Sequence, residues 1–194
     1  MGMNRSSEVI ESAERTRPSV GDAARRDAAF VRLADVHLDR AYRLARAILR
    51  DPLDAQDATH DAFVQAWRRW DTLRDPDRFE AWFDRILVNT CRNRIRTNRL
   101  ANRQAATDIS AEVAMASGDH AGPTEDREVL GAAIATLSPD HRIVVALRYY
   151  RDLPVAEIAT RLGIPVGTVQ SRLHYALQRL HQAIDGVDAE GSVR

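Results

Sequence analysis

Lysine is absent from the 194 residues: all 28 basic side chains are arginine, and 28 acids balance them to a formal net charge of zero. The forked guanidinium suits bidentate contacts to phosphates and base edges, yet uniformity this complete reads as coding bias rather than binding design. A neutral total means that attraction to an anionic partner has to come from local clustering. A single cysteine, Cys91, excludes a disulfide framework within the chain and a structural zinc site built on several thiolates, and it suits a reducing compartment. No apolar run reaches the roughly 18 residues of a membrane-spanning helix, and residues 1–25 lack the apolar stretch of a secretory signal. No membrane insertion is therefore expected, and the chain reads as cytoplasmic. Nothing alternates with a period of two over a useful length, which argues against a sheet.

What is present suits soluble globular structure, with 44% hydrophobic and 29% charged residues. The expected fold is all-α, two small helical bundles joined by a flexible linker. Residues 1–25 mix Ser, Glu, Arg and Gly with few large apolar groups and are expected to be a disordered extension. The first domain is placed at 26–100. Phe30, Leu33, Ala34, His37, Leu38, Ala41, Leu44, Ala45 and Ile48 recur at three- and four-residue steps, one face of a first helix. Asp51-Pro52 ends it and opens a second, from about Leu53 to Trp70, burying Ala58, Ala62, Phe63, Ala66, Trp67 and Trp70. The polar stretch Asp71–Asp77 breaks the period as a loop, and a third helix runs from about Arg78 to Arg99.

Residues 101–127 show no sustained period and contain a Gly-Pro pair, so they read as the linker. A second domain at 128–186 precedes a short tail, 187–194. Within it Ser138 is placed as an N-cap with Pro139 at the first helical position. Two further helices, Val155 to Leu162 and Val166 to Ile184, are separated only by Gly163-Ile164-Pro165. That is the layout of a helix-turn-helix: Ala159 falls where two helices touch most closely and Gly163 at the turn, where a left-handed backbone is needed. Ile158, Leu162, Ile164, Val169, Leu173 and Leu177 would share a core. Gln170, Ser171, Arg172, His174 and Tyr175 remain on or near the outer face, where a recognition helix meets the major groove.

Two charge patterns stand out in the first domain. From Arg85 to Arg103 there are six arginines and no acid, a local +6 that suits phosphate neutralisation. Just before it, Phe63, Trp67, Trp70, Phe79, Trp82 and Phe83 gather six of the eleven aromatics. Most belong to a core at this spacing, and Trp70 with the following loop is the part expected to be exposed and able to stack on an unpaired base. Conversely, Asp51, Asp54, Asp57 and Asp61 fall on one side of the second helix near its N-terminus. The helix dipole favours them there, and they also suit a basic protein partner.

Three stretches carry a resemblance: DPLDAQDATHDAFVQAW, FEAWFDRILVNTCRNRIR and LSPDHRIVVALRYYRDLPVAEIATRLGIPVGTVQSRLHYALQRL. They are similar to the core-binding helix, promoter-opening helix and second DNA-binding domain of bacterial extracytoplasmic-function (ECF) sigma factors of the sigma-70 family, over roughly Phe30–Arg99 and Val129–Ile184. The resemblance implies a transcription initiation factor with no chemistry of its own. It would bind core RNA polymerase, carry it to promoter DNA and stabilise the opened strand, and an anti-sigma factor would hold it inactive. On that implication Asp54, Gln56, Asp57 and Asp61 dock on polymerase. Arg74 in the loop, Asn89, Arg92, Arg94 and Arg96 meet the minus-10 element, and Gln170, Ser171, Arg172, His174 and Tyr175 read the minus-35 element. Gln56 stands where an acid is usual, and Val88 where an arginine is frequent. The linker carries five net negative charges from Asp108 to Glu128, which the resemblance places in the polymerase cleft as a mimic of nucleic acid.

A homodimeric helix-turn-helix regulator acting without polymerase is the alternative. It accounts for the C-terminal motif but not for the acidic helix, the aromatic loop or the basic third helix. An enzyme finds no support: the six histidines are scattered, and no glycine loop for phosphate is present. No catalytic residue, metal or cofactor is expected. His60 beside Asp61 reads as a surface pair and Cys91 as a packing residue.

Overall fold

The computed structural model describes residues 20–108 and 125–191, and it places them in seven α-helices and two 3-10 turns. The chain divides after Val36 into two units. Of the first, the described part is the beginning of helix α1 (Val20–Leu49). The expected disordered extension is thus corrected at its end: residues 20–25 are helical, because Ala23, Ala24 and Arg25 are strong helix formers and no proline lies between Pro18 and Pro52. Residues 1–19 lie outside the described residues.

Everything from His37 onward belongs to the second unit. There α1 stops because Arg50 turns left-handed (φ 70°), its N–H donating to the Arg46 carbonyl at 2.9 Å. Helix α2 (Pro52–Arg68) starts at once: the Asp51 side chain accepts from the Asp54 N–H at 2.7 Å, and Pro52 supplies a preset φ. Its inner face is made of small residues, alanines with Thr59 among them. Ala55, Ala58, Ala62 and Ala66 are fully buried, which lets helix α3 (Phe79–Asp108) lie close and insert Phe79, Phe83, Leu87 and Cys91. Phe63 stacks on Phe83 at 4.4 Å, and Phe83 on Phe79 at 5.5 Å. Each large side chain buried this way contributes about 1.5–3 kcal/mol.

Three expectations change here. Leu38 is 48% exposed rather than inward, because it borders a groove instead of the α2–α3 contact. Trp67 is 38% exposed, whereas Trp70 is half-buried and sits edge-on to Phe79 and Trp82; the two tryptophans exchange their expected places. The chain turns through the 3-10 segment Trp70–Thr72, and this carries the Trp70 ring back over α3. A second 3-10 turn, Pro76–Arg78, is capped by Asp75, which accepts from the Asp77 N–H at 3.0 Å. Finally, α3 does not end at Arg99 but runs on to Asp108, since Leu100 to Thr107 holds neither glycine nor proline. The linker expected at 101–127 therefore begins later. Residues 109–124, most of it, lie outside the described residues.

The second module holds α4 (Glu125–Thr136), α5 (Pro139–Tyr149), α6 (Val155–Leu162) and α7 (Val166–Gly191). Helix α4 starts before the expected 128, with acids of the kind a helix start favours, and α7 continues into the expected tail, as no proline stops it. Ser138 caps α5, accepting from the His141 N–H at 3.3 Å with Pro139 behind it. Gly163 closes α6 with φ 65° and ψ 36°, and Ala159 is buried. Ile143, Val144, Leu147, Ile158 and Val169 fill the centre, while Ala133, Leu137, Ala176 and Leu180 form a neighbouring cluster beneath α4.

Candidate nucleic-acid interface and acidic groove

The acids of α2 separate into different roles. Asp51 is a cap. Asp54 is half-buried and accepts from Arg94 Nε and from Asn98 Nδ2, both at 2.7 Å, and the Arg94 guanidinium also donates to Asp57. Gln56, Asp57 and Asp61 are exposed. With Leu38, Tyr42 and Phe63 they line an open cavity of about 700 Å³ between α1 and α2, at whose edge Arg94 also lies. Arg94, expected on DNA, is thus drawn into the acidic face expected on polymerase.

Along α3, Asn89 and Arg96 are exposed, and Arg96 donates to Asn93 Oδ1 at 3.3 Å. Arg74 is exposed in the loop. Val88 is buried, so the position where the resemblance led to arginine is core here and no phosphate contact arises from it. Arg92 is half-buried and donates to Asp140 Oδ1 at 3.4 Å. On α7 the exposed residues Gln170, Ser171, His174 and Tyr175 follow an i, i+1, i+4, i+5 pattern, one face of the helix. The His174 and Tyr175 rings meet edge-on at 5.7 Å. Arg172 lies off that face: half-buried, it donates to Asp140 Oδ2 at 2.9 Å.

Sequence reasoning missed a buried ion cluster centred on α3. Asp84 is fully buried and accepts from Arg151 Nη2 at 2.6 Å and from Arg161 Nη1. Arg151 also donates to Glu80 at 3.1 Å, Arg40 lies 3.2 Å from the same oxygen, and Arg161 donates to Glu157 at 2.7 Å. Burial pushes the Asp84 carboxyl above the usual carboxylate range against the pull of Arg151 and Arg161. A signal was available, because Asp84, Val88 and Cys91 follow i, i+4, i+7 and so place an acid on an apolar stripe. Burial likewise raises the Cys91 thiol to about 12 and lowers the His37 imidazole. Among the described residues no cluster of His, Cys, Asp and Glu could hold a metal ion, and no helix is long and apolar enough to cross a membrane.

The comparisons with known proteins agree with this layout. The Sigma-70 region 2 family matches residues 33–101, and Sigma-70 region 4 matches residues 133–182. The ECF RNA polymerase sigma factor SigL of Mycobacterium tuberculosis is 35% identical over 163 residues, covering 83% of this chain and 92% of that protein. The chain belongs to the ECF sigma factors. It is accordingly a transcription initiation factor that directs RNA polymerase to promoters. The presence of both regions disfavours a lone operator-binding regulator. The RNA polymerase sigma-E factor of Streptomyces coelicolor is 34% identical over 154 residues, covering 78% of this sigma factor and 84% of that one. In structure, the sigma factor RpoE of Bartonella quintana, solved with the anti-sigma factor NepR, covers 80% of this chain and is itself covered to 96% (TM-score 0.66, 22% identity). CnrH, solved with the cytosolic domain of CnrY, covers 84% and is covered to 95% (TM-score 0.58, 28% identity).

Proposed function

We propose that this sigma factor docks on core RNA polymerase through the acidic groove of α2 and reads the minus-35 element with α7. In the same scheme it holds the opened minus-10 strand with the loop after α2 and the basic part of α3. The observation that carries the reading is the side-by-side exposure of Gln170, Ser171, His174 and Tyr175 on the second helix of a tight helix-turn-helix. Such a face fits the major groove, where amide, hydroxyl and imidazole groups meet base-edge donors and acceptors. Gln56, Asp57 and Asp61 give the groove its negative side, which suits a basic surface of polymerase. Arg74, Asn89, Arg92, Arg94 and Arg96 supply hydrogen-bond donors for phosphates and bases, Arg92 and Arg94 once released from their carboxylates, and exposed Trp67 offers a ring for stacking.

The protein works in the cytoplasm, without metal, cofactor or catalytic residue, and its regulating partner is an anti-sigma factor, as in the solved complexes of RpoE and CnrH. In vitro transcription with core enzyme and a promoter library tests the reading. The wild-type chain initiates at a subset of promoters, and Asp61→Arg loses co-purification with core enzyme while keeping its helicity. Unchanged co-purification of Asp61→Arg overturns the docking assignment.

A further inference from the structure

Asp84 lies on α3 of the region 2 module, whereas both of its guanidinium partners belong to the region 4 module: Arg151 precedes α6 and Arg161 lies within it. The carboxylate is 0% exposed, and the side chains of Arg151 and Arg161 are 2% and 8% exposed. A charge this deeply buried is tolerated only when paired and hydrogen-bonded, and here both partners come from the other module. Glu80 and Glu157 complete the cluster at its margins, so acids and guanidinia are matched across the seam. Further along the same seam Arg50 Nη2 donates to the Gly131 carbonyl at 3.0 Å. Asp140, on the first turn of α5, takes Arg92 from α3 on one oxygen and Arg172 from α7 on the other.

We propose that the unbound sigma factor is latched shut by the two-arginine clamp on Asp84, and that in this closed state Asp140 occupies Arg92 and Arg172, one arginine from each module that would otherwise be available to a DNA phosphate. The inference rests on the proposed reading of the two modules. Minus-10 and minus-35 elements lie about 25 base pairs apart, on the order of 85 Å of B-form duplex. Two arginines that share one carboxylate cannot serve both elements at once, so promoter engagement requires the clamp to open. Opening is feasible because buried ion pairs contribute little net stability: the charges regain on hydration much of what they lose on separation. The latch is therefore a reversible one, and polymerase, by holding the modules apart, is the agent that opens it.

The test uses the full chain with labels at two exposed positions, Arg68→Cys on α2 and Gln178→Cys on α7; Cys91 is buried and stays unlabelled. The free wild-type background is expected to show one short, narrow distance distribution that becomes long on adding core polymerase. Asp84→Asn is expected to be long and broad without polymerase. Asp140→Asn, at a half-exposed site, is expected to raise the affinity of the free chain for a random 40-base-pair duplex severalfold by freeing Arg92 and Arg172, and an unchanged affinity overturns their occupation by Asp140. A long distribution in the free wild-type chain overturns the proposal, as does Asp84→Asn that stays short with native helicity. Should Asp84→Asn fail to fold, the wild-type comparison decides: a distance that stays short in the isolated polymerase complex overturns the latch. A labelled chain that does not co-purify with core polymerase defeats the docking assignment instead, so the two failures are separable.

Discussion

Arg94 donates through Nε to Asp54, forty positions earlier, at 2.7 Å. The same guanidinium reaches Asp57, so α2 and α3 are tied by a fork at the end of their contact. With side chains 31% and 22% exposed, the Arg94–Asp54 pair is partly screened but geometrically fixed. A double-mutant cycle of Arg94→Ala and Asp54→Ala should give a coupling of about 1 kcal/mol in urea denaturation. Coupling indistinguishable from zero would mean that water serves these charges as well as they serve each other.

Cys91 is sealed between α2 and α3, and burial raises its thiol to about 12. The thiolate is the reactive form, so an aromatic disulfide reagent at pH 8 should label the native chain only through unfolding, and label it promptly in denaturant. Cys91→Ser should cost about 1–3 kcal/mol by placing a hydroxyl in an apolar site. Rapid native labelling would show that the helix pair opens locally.

Gly163 adopts φ 65°, and a Cβ there would approach Arg85 Nη2 to 3.2 Å. The end of an arginine can shift, so the backbone conformation dominates the penalty. Gly163→Ala should lower stability by about 1–2 kcal/mol, and Gly163→Asn by less, because asparagine tolerates the left-handed region. Thermal melts of the two variants check the order; an alanine variant as stable as wild type would contradict it.

The elements that were legible beforehand are those fixed by neighbouring residues. Ser138-Pro139 and Gly163 act on the backbone beside them, and the recognition face follows from helical period alone. Asp84 carries no such local signal of its partners, because its neighbours Phe83 and Arg85 say nothing of residues 67 and 77 positions away. Arg92 and Arg172 were assigned to DNA one by one, and only the fold brings both to Asp140. The exchange of Trp67 and Trp70 has the same origin, since the helical period continues through Trp70 while the chain itself turns there.

His37 packs its ring 5.1 Å from Phe79, and its buried Nδ1 has no hydrogen-bond partner. Burial lowers its pKa below 6.5, with Arg151 and Arg40 acting the same way and Glu80 and Asp84 opposing. The neutral ring is the form the fold accepts. Between the folded and unfolded pKa values the unfolded chain binds the extra proton, so stability is intact above pH 6.5 and falls as the pH drops through that window. The Asp84 carboxyl, which burial raises against the pull of Arg151 and Arg161, is a second titrating group nearby. His37→Gln isolates the first effect. Its melting temperature should fall less than that of wild type between pH 7.5 and 5.5, and parallel curves would remove the histidine from the account.

On α7 the exposed face and its flank carry side chains with different expected contacts. His174 and Tyr175 stand on the exposed face with Gln170 and Ser171, so their side chains are placed to meet base edges; Arg172 stands off that face beside Asp140. His174→Ala or Tyr175→Ala should therefore change the ranking of promoters in run-off transcription, by about 1–3 kcal/mol for each lost base contact. Arg172→Ala should instead weaken all promoters alike and reduce the salt dependence of binding by about one phosphate's worth. Base contacts depend on which base is present, whereas phosphate contacts do not, so the two outcomes cannot be confused. A uniform loss in His174→Ala and Tyr175→Ala would place those rings on the backbone and move promoter choice to Gln170 and Ser171.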